Sequence, residues 1–231
     1  MIGIDSIQVM KGRGYFEKLQ KMYEKKEVKE YFEDFFRFSD INNKCVLDAG
    51  CGIGYSSKIL KSKGNHVFSF DTNRKSVTYA KKSMGVEYPL VASVESIPFK
   101  DKVFDAVYFL DVLEHLPEPL SVLKDLRRVL KDEGELLLIT PNGLIRKSIN
   151  IIFGKDIGDK THIKEFTYKE LKELMAKAGF RIESIKVSGI VLLNKINFRF
   201  ARKLGHKLNK AVLPLASPSF WVKAKKIKQA R

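Results

Sequence analysis

Short apolar runs alternate with amphipathic stretches through most of the chain. Runs short enough for buried strands occur at residues 45–48, 66–70, 90–92, 104–109 and 134–140. Between and after these runs, apolar positions recur at helical spacing, which predicts helices at residues 55–63, 75–84, 116–130 and 167–178. Strands that alternate with helices in this way predict a doubly wound α/β fold, in which helices cover both faces of a mostly parallel sheet.

The last of these helices has start and stop signals. Thr167 is followed by Glu170 at the spacing of a capping box, and Gly179 comes directly after the predicted end. Residues 180–188 then alternate as a strand does, and residues 220–227 are predicted to be its antiparallel partner. These two strands complete the predicted sheet.

The remaining segments define the predicted domain organisation. Residues 1–40 are predicted to form an N-terminal helical cap, and residues 41–231 a core with insertions at 143–166 and 189–218. The cap is indicated by apolar residues that recur at helical spacing among charged ones: Tyr15, Leu19, Met22, Tyr23, Val28, Tyr31, Phe32, Phe35 and Phe36. Within the second insertion, residues 195–212 have apolar and cationic side chains on opposite helical faces, which predicts a cationic amphipathic helix.

The charge of the chain is concentrated beyond its last acidic residue, Glu183. The formal net charge is +16, and twelve lysines and arginines follow Glu183. Such a one-sided excess indicates an anionic surface or substrate without saying which. The helix predicted at residues 195–212 therefore leaves three alternatives open: packing on the domain with solvated lysines, contact with an anionic membrane or lipid, and contact with nucleic acid.

Cysteine content and hydropathy favour a cytoplasmic protein. Cys45 and Cys51 flank a glycine-rich segment and are expected to be reduced. No N-terminal apolar stretch has the pattern of a signal peptide, and the apolar runs are too short to span a bilayer. Peripheral attachment to a membrane is the alternative that the basic helix leaves open.

Candidate chemistry begins where the first predicted strand ends. Asp48 precedes Gly50, Gly52 and Gly54, and glycines there let the backbone turn sharply and approach a ligand closely. Dinucleotide sites prefer G-x-G-x-x-G and disfavour an acid beside the pyrophosphate, so an NAD-dependent dehydrogenase is the poorer assignment. The second strand leads to Asp71, at the distance downstream where an acid can bind ribose hydroxyls.

These motifs resemble those of the class I S-adenosylmethionine-dependent methyltransferases, over about residues 42–190. The similar segments are residues 46–54, Asp71, residues 92–99 and residues 106–116. The resemblance implies S-adenosylmethionine as cofactor, lid helices before the first strand, and a Rossmann-like seven-stranded sheet in the order 3-2-1-4-5-7-6 with the last strand antiparallel.

The resemblance also implies which residues surround the cofactor: Asp48, Gly50, Cys51, Gly52, Gly54, Asp71, Thr72, Ser93, Val94, Leu110 and Asp111. Ser93 departs from the family, in which many members carry aspartate at this position, although a hydroxyl can also hydrogen-bond an adenine edge. Ordinary alternatives are a core position for Val94 and a helix-capping role for Asp111.

Glu114, His115 and His162 are the candidate proton acceptors. Methyl transfer from a sulfonium needs mainly alignment, together with removal of a proton when the acceptor is a hydroxyl. A histidine titrates near neutrality and suits that task, and related small-molecule and quinone-pathway O-methyltransferases carry a similar Glu-His pair. Structural roles for both histidines are the alternatives. No metal is expected, because ligands that would support the Glu-His pair are not evident in the sequence.

We therefore expect a methyltransferase that acts on a small-molecule or lipid-linked acceptor, at a hydroxyl oxygen. The alternatives are an RNA or protein methyltransferase that uses the basic C-terminal region, and a non-catalytic cofactor-binding protein. Nucleic acid is the less favoured partner, because residues 109–112 lack the Asn/Asp-Pro-Pro-aromatic motif of exocyclic base methylation.

Overall fold

A seven-stranded mixed sheet forms the centre of the molecule. The computed structural model describes residues 15–144, 161–188 and 219–227. In chain order the strands are β1 Cys45–Ala49, β2 His66–Asp71, β3 Tyr88–Val91, β4 Phe104–Leu110, β5 Leu130–Pro141, β6 Phe180–Ser188 and β7 Ser219–Lys226. Their order across the sheet is β3-β2-β1-β4-β5-β7-β6, and β7 runs antiparallel to both of its neighbours. The predicted strand order and the antiparallel last strand are thus confirmed.

Helices cover both faces of this sheet. They are α1 Tyr15–Glu24, α2 Lys26–Ser39, α3 Tyr55–Ser62, α4 Arg74–Ser83, α5 Pro119–Val129 and α6 Tyr168–Lys177. A single 3₁₀ turn, Leu113–His115, lies between β4 and α5. Among the described residues, none of the helices combines the length and the apolar character that crossing a bilayer requires.

Two apolar layers form because successive side chains of a strand point to opposite faces of the sheet. Leu47 of β1 and Phe109 of β4 belong to the layer that packs under α5 and α6. Val46 and Tyr108, each one position away, belong to the layer under α2 and α3. The near-continuous apolar composition of β1 and β4 follows, because both faces of a central parallel strand are buried.

The aromatic residues of α2 pack against the last strand of the sheet. Phe35 and Phe36 are fully buried, and the Phe35 ring meets the Trp221 ring of β7 edge to face at 5.6 Å between centroids. Trp221 Nε1 donates a hydrogen bond of 2.9 Å to the hydroxyl of Tyr31. The N-terminal segment, which was predicted to be helical, contains two helices, and α2 is joined to β7 by packing and by this hydrogen bond.

Two local predictions differ in accuracy. The capping box of α6 is present, since Thr167 accepts from the Glu170 backbone N–H while the Glu170 carboxylate accepts from the Thr167 backbone N–H. The helix predicted to start at Leu116 begins only at Pro119, so that prediction is wrong by most of a turn. Pro117 and Pro119 explain the delay, because the residue before a proline avoids the helical region and proline itself suits the first helical position.

The described ranges leave two predictions without a structural counterpart. The cationic helix at residues 195–212 lies outside the described residues, as does the insertion at 189–218. Of the insertion at 143–166, the structure describes residues 143–144 and 161–166. Gly143 N donates a 3.0 Å hydrogen bond to the Phe166 carbonyl, so the two ends of this insertion meet beside the end of β5.

Candidate active site

The glycine loop after β1 crosses directly in front of β2 and the segment after β4. Gly50 and Cys51 donate backbone hydrogen bonds of 2.9 and 3.0 Å to the Phe70 carbonyl. Gly50 has φ of +80°, and a Cβ added there would lie 2.7 Å from Val112 Cγ2. Only glycine therefore combines this left-handed backbone with so close an approach.

Asp71 lies at the end of β2 with its carboxylate turned toward this loop. It is 3% exposed; Oδ2 accepts a 3.0 Å hydrogen bond from Gly52 N, and Oδ1 accepts a 2.8 Å bond from Asn73 N. Two backbone N–H groups thus fix the position of the carboxylate at the carboxyl edge of the sheet, where open α/β sheets bind their ligands.

Asp48 takes a different position from the one expected, because its side chain points behind the loop. Its Oδ2 accepts hydrogen bonds from Ser56 Oγ at 2.5 Å and from Ser57 Oγ at 2.6 Å, both in α3. Complete burial raises the pKa of Asp48 to about 6; the two serine hydroxyls oppose the rise, and the charge of Asp71 adds to it. Asp48 therefore anchors α3 to β1.

Gly54 also faces away from the loop's open side. Its φ is +84°, and an added Cβ would lie 2.7 Å from the Cβ of Ala80 in α4. The need for glycine here comes from the approach of two helices.

A cavity of about 300 Å³ opens at the carboxyl ends of β1, β2 and β4. Twelve of the fourteen residues expected at the site line it: Gly50, Cys51, Gly52, Asp71, Thr72, Ser93, Val94, Leu110, Asp111, Glu114, His115 and His162. The other two, Asp48 and Gly54, are not among its lining residues. The structure therefore brings together one loop, the ends of two strands and the segment before α5.

The part of the cavity nearest β3 is formed by Ser93 and Val94. The Ser93 hydroxyl oxygen accepts a hydrogen bond of 3.2 Å from the backbone N–H of Glu95, which holds this turn in shape. Val94 is buried, belongs to the apolar layer under α5 and also lines the cavity.

Histidine and carboxylate side chains cluster at the opposite end of the cavity. Glu114 is 1% exposed and accepts a 3.1 Å hydrogen bond from Thr140 Oγ1. His115 Nδ1 donates to the Thr161 carbonyl at 3.0 Å, and the rings of His115 and His162 lie 4.9 Å apart between centroids. The chain segment at residues 161–164 thus closes over the 3₁₀ turn.

His162 is held at Nδ1, and its Nε2 faces Glu114. Its Nδ1 lies 2.6 Å from Glu165 Oε1, and its Nε2 lies 4.0 Å from Glu114 Oε1. The Glu114 backbone carbonyl also accepts hydrogen bonds from Ile163 N at 2.8 Å and Lys164 N at 3.1 Å. The segment that carries His162 is therefore attached to the 3₁₀ turn by main-chain hydrogen bonds.

Two acids in this region have altered pKa values. Burial raises the pKa of Glu114 well above its usual range; nearby Asp111 adds to the rise, and the Thr140 hydrogen bond opposes it. Asp111 is exposed toward the cavity. The protein around it still desolvates the carboxyl and raises its pKa to about 6, and His162 opposes that rise. Both carboxyls therefore keep their protons to a higher pH than fully solvated carboxyls do.

An apolar wall completes the cavity on the side of the N-terminal helices. Met22 and Tyr23 of α1 and Phe32 of α2 line it, and Tyr23 stacks on Tyr55 of α3 at 4.7 Å between ring centroids. These aromatic residues stand out in the sequence by their helical spacing.

Thr161 also lines the cavity, and it was not anticipated, because no motif marks a contact across the 46 positions that separate it from His115.

Comparisons with known proteins match this geometry. A family profile described as "Methyltransferase domain" matches residues 47–138. A solved structure, a SAM-dependent methyltransferase from Archaeoglobus fulgidus, superposes with a TM-score of 0.66 at 22% identity, and the match covers 92% of this chain and 99% of that one. The sheet order and the cavity at its carboxyl edge thus define a class I methyltransferase fold.

Sequence relatives extend the comparison. An uncharacterised protein of Methanocaldococcus jannaschii, MJ0638, is 29% identical over 177 residues, which is 75% of each chain. A ubiquinone biosynthesis O-methyltransferase from Hydrogenovibrio crunogenus is 27% identical, over 62% of this chain and 64% of that protein. A tRNA U34 carboxymethyltransferase from Nautilia profundicola is 37% identical over 108 residues, which is 44% of this chain and 35% of that protein.

Residues 47–138 thus match a methyltransferase domain, and the chain has the fold of the class I S-adenosylmethionine-dependent methyltransferases. It spans less than two thirds of the length of the two relatives that are named by their reaction. The matches imply S-adenosylmethionine as cofactor, and the site fits it in two respects. Gly50 and Gly52 line the cavity with backbone alone, and Asp71 presents a carboxylate suited to hydroxyl donors.

Proposed function

We propose that this chain transfers a methyl group from S-adenosylmethionine to a hydroxyl oxygen of a small-molecule or lipid-linked acceptor. The observation that carries the proposal is that His115, a side chain able to accept a proton, lines the same cavity as the glycine loop and Asp71. The apolar wall around Phe32 and the polar end around His115 suit an acceptor with an apolar body and one polar group.

Binding of the cofactor is assigned to residues near β1, β2 and β3. Asp71 would hold the ribose hydroxyls, Ser93 and Val94 would flank the adenine, and the Gly50–Gly52 backbone would contact the methionine portion. When bound, S-adenosylmethionine supplies a methyl group that is activated by its sulfonium sulfur. The chain's own contribution is alignment, which can lower the barrier by several kcal/mol without a catalytic side chain.

Proton removal is assigned to His115. Because Nδ1 of His115 donates to the Thr161 carbonyl, the lone pair of the neutral ring is on Nε2, which is the atom that would accept the acceptor's proton. Glu114 is the weaker candidate, since its side chain is buried and its backbone carbonyl accepts hydrogen bonds from residues 163 and 164. His162 would orient the acceptor beside His115.

Release of S-adenosylhomocysteine with a panel of hydroxyl acceptors, each paired with its amine analogue, tests the proposal. We expect turnover with a hydroxyl member, and a fall in kcat of about 10²- to 10⁴-fold in His115→Ala, as removal of a general base usually causes. His66→Ala is the matched control, because His66 is exposed at the start of β2. Turnover restricted to amine acceptors, or equal turnover in both variants, would contradict the assignment.

Cofactor binding has a separate test in Asp71→Asn. The amide keeps one oxygen acceptor and loses the charge, so we expect affinity for S-adenosylhomocysteine in calorimetry to fall about tenfold or more. If the wild-type chain binds this compound and no acceptor turns over, the non-catalytic alternative is favoured. If the wild-type chain does not bind it, the proposed function fails.

An RNA acceptor is the second candidate. It is favoured by the net charge of +16 and by the similarity to a protein named for a tRNA reaction. A gel-shift titration with bulk tRNA at several salt concentrations decides this point, because phosphate contacts make affinity fall steeply with salt. Tight, salt-sensitive binding together with S-adenosylhomocysteine release on tRNA would replace the small-molecule proposal.

A further inference from the structure

Three side chains of metal-ligating type meet at the polar end of the cavity: Glu114, His115 and His162, here called the His-Glu cluster. One candidate ligand atom from each lies within 4.8 Å of the other two. We propose that the His-Glu cluster binds a divalent transition-metal cation, and that this cation takes the acceptor hydroxyl as a further ligand. The second part rests on the proposed function, because the cluster lines the same cavity as the assigned cofactor site.

The distances within the cluster suit a single ion. Nitrogen and oxygen ligands lie about 2.0–2.2 Å from zinc, so two ligands of one tetrahedral ion are about 3.3–3.6 Å apart. His162 Nε2 and Glu114 Oε1 are 4.0 Å apart, which is about 0.4 Å beyond that range. The candidate ligand atoms of the cluster all lie within 4.8 Å of one another, so side-chain movements of about 1 Å bring them to one ion.

Both imidazoles have the outer hydrogen bonds that metal-binding histidines usually make. A histidine ligand generally donates its other ring N–H to a carboxylate or a backbone carbonyl, which fixes the tautomer and the ring orientation. His162 Nδ1 makes such a bond with Glu165, and His115 Nδ1 makes one with the Thr161 carbonyl. With their protons on Nδ1, both rings carry a lone pair on Nε2.

The third candidate ligand, Glu114, is also oriented by a hydrogen bond. The Glu114 carboxylate is held through Oε2 by the Thr140 hydroxyl, and Oε1 is the oxygen that faces His162. Glu114 is 1% exposed, and a buried carboxylate beside two imidazole lone pairs is costly unless a proton or a cation neutralises it. A cation at the centre of the cluster would neutralise the carboxylate and take up both lone pairs.

The ligand types select the kind of ion and its use. Two imidazoles and one carboxylate suit zinc and similar transition metals, whereas magnesium and calcium prefer oxygen ligands throughout. Three protein ligands leave a coordination position open, as in catalytic zinc sites. A hydroxyl that occupies this position loses its proton more easily, because the ion stabilises the resulting anion. His115 Nε2 is then bound to the ion, so the ion replaces His115 as the group that activates the hydroxyl, and the proton passes to water at the mouth of the cavity.

Calorimetric titration of the untagged full chain with Zn²⁺ tests the proposal, with Co²⁺ absorption spectra as a second measurement. We expect one strongly bound ion per chain in the wild type and in the control His66→Ala. Affinity should fall at least about 100-fold in His162→Ala, and about 10- to 100-fold in Glu165→Gln, which keeps the volume of the outer partner. Circular dichroism establishes that each variant is folded.

Equal Zn²⁺ affinity in the wild type and in folded Glu165→Gln and His162→Ala would show binding elsewhere on the surface and overturn the proposal. So would the absence of binding in the wild type. The same proteins are titrated with S-adenosylhomocysteine, which separates the two proposals. A chain that binds this compound but not Zn²⁺ loses only the metal site, whereas a chain that binds Zn²⁺ but not this compound loses the methyltransferase assignment.

Discussion

Replacement of Asp48 by asparagine should change how the stability of the protein depends on pH. Asp48 is fully buried and receives hydrogen bonds from Ser56 and Ser57, and its pKa is raised from 3.8 to about 6. Asparagine has nearly the same shape, and its carbonyl oxygen can accept from the same hydroxyls. The variant therefore removes the titration and leaves the packing in place.

The size of the effect follows from the two pKa values. Between pH 3.8 and about 6 the folded protein holds a proton on Asp48 that the unfolded chain has released. Stability is therefore lost as pH rises through this interval, by about 1.4 kcal/mol per pKa unit and about 3 kcal/mol in all. Between about pH 4.5 and pH 7.5, the part of this loss that can be measured is about 2 kcal/mol.

Urea unfolding of the wild type and Asp48→Asn at matched pH values measures the effect. Other titrating groups contribute equally to both proteins, so they cancel in the difference between the two free energies of unfolding. We expect the free energy of unfolding of the variant, relative to that of the wild type, to rise by about 2 kcal/mol between about pH 4.5 and pH 7.5. A difference that does not change with pH would refute the view that Asp48 is a buried acid with a raised pKa.

Three further experiments, each based on one or two substitutions, have expected outcomes. Gly50→Ala and the control Gly85→Ala both place alanine at positive φ, and each should lower the free energy of unfolding by about 1–2 kcal/mol. Only the alanine at position 50 meets a neighbouring side chain, so only Gly50→Ala should weaken S-adenosylhomocysteine binding in calorimetry. Trp221→Phe should lower the free energy of unfolding by about 1 kcal/mol. Adding Tyr31→Phe to this variant should lower it little further, because both substitutions remove the same hydrogen bond. Thr167→Ala should cost about 1 kcal/mol in urea unfolding through the lost cap, and an unchanged midpoint would argue against that role.

Features set by neighbouring residues were predictable from the sequence. The strand, glycine turn and helix at residues 45–62 follow from local pattern, and so does the capping box at Thr167. The strand order came from the family resemblance, because apolar periodicity alone does not say which strands are neighbours. Local pattern was less reliable at the start of α5, where two prolines override a continuous apolar periodicity.

Side-chain directions in the candidate site were harder to anticipate. Asp48 was expected at the ligand because it precedes the glycines, yet its direction is set by two serines in α3. Gly54 belongs to the same motif, but it is required by the approach of Ala80. Thr161 and His115 meet only because residues 161–164 fold back on Glu114, a long-range contact that no spacing rule contains.

The hydrogen bond between Tyr31 and Trp221 joins residues that are 190 positions apart. During synthesis from the N-terminus, α2 emerges long before the strand on which its aromatic residues pack. Its Phe35 side therefore stays without its final partner until residue 221 has left the ribosome. The wall that α1 and α2 give to the cavity is thus completed only after β7 has been made, and binding at that wall has to wait for that strand.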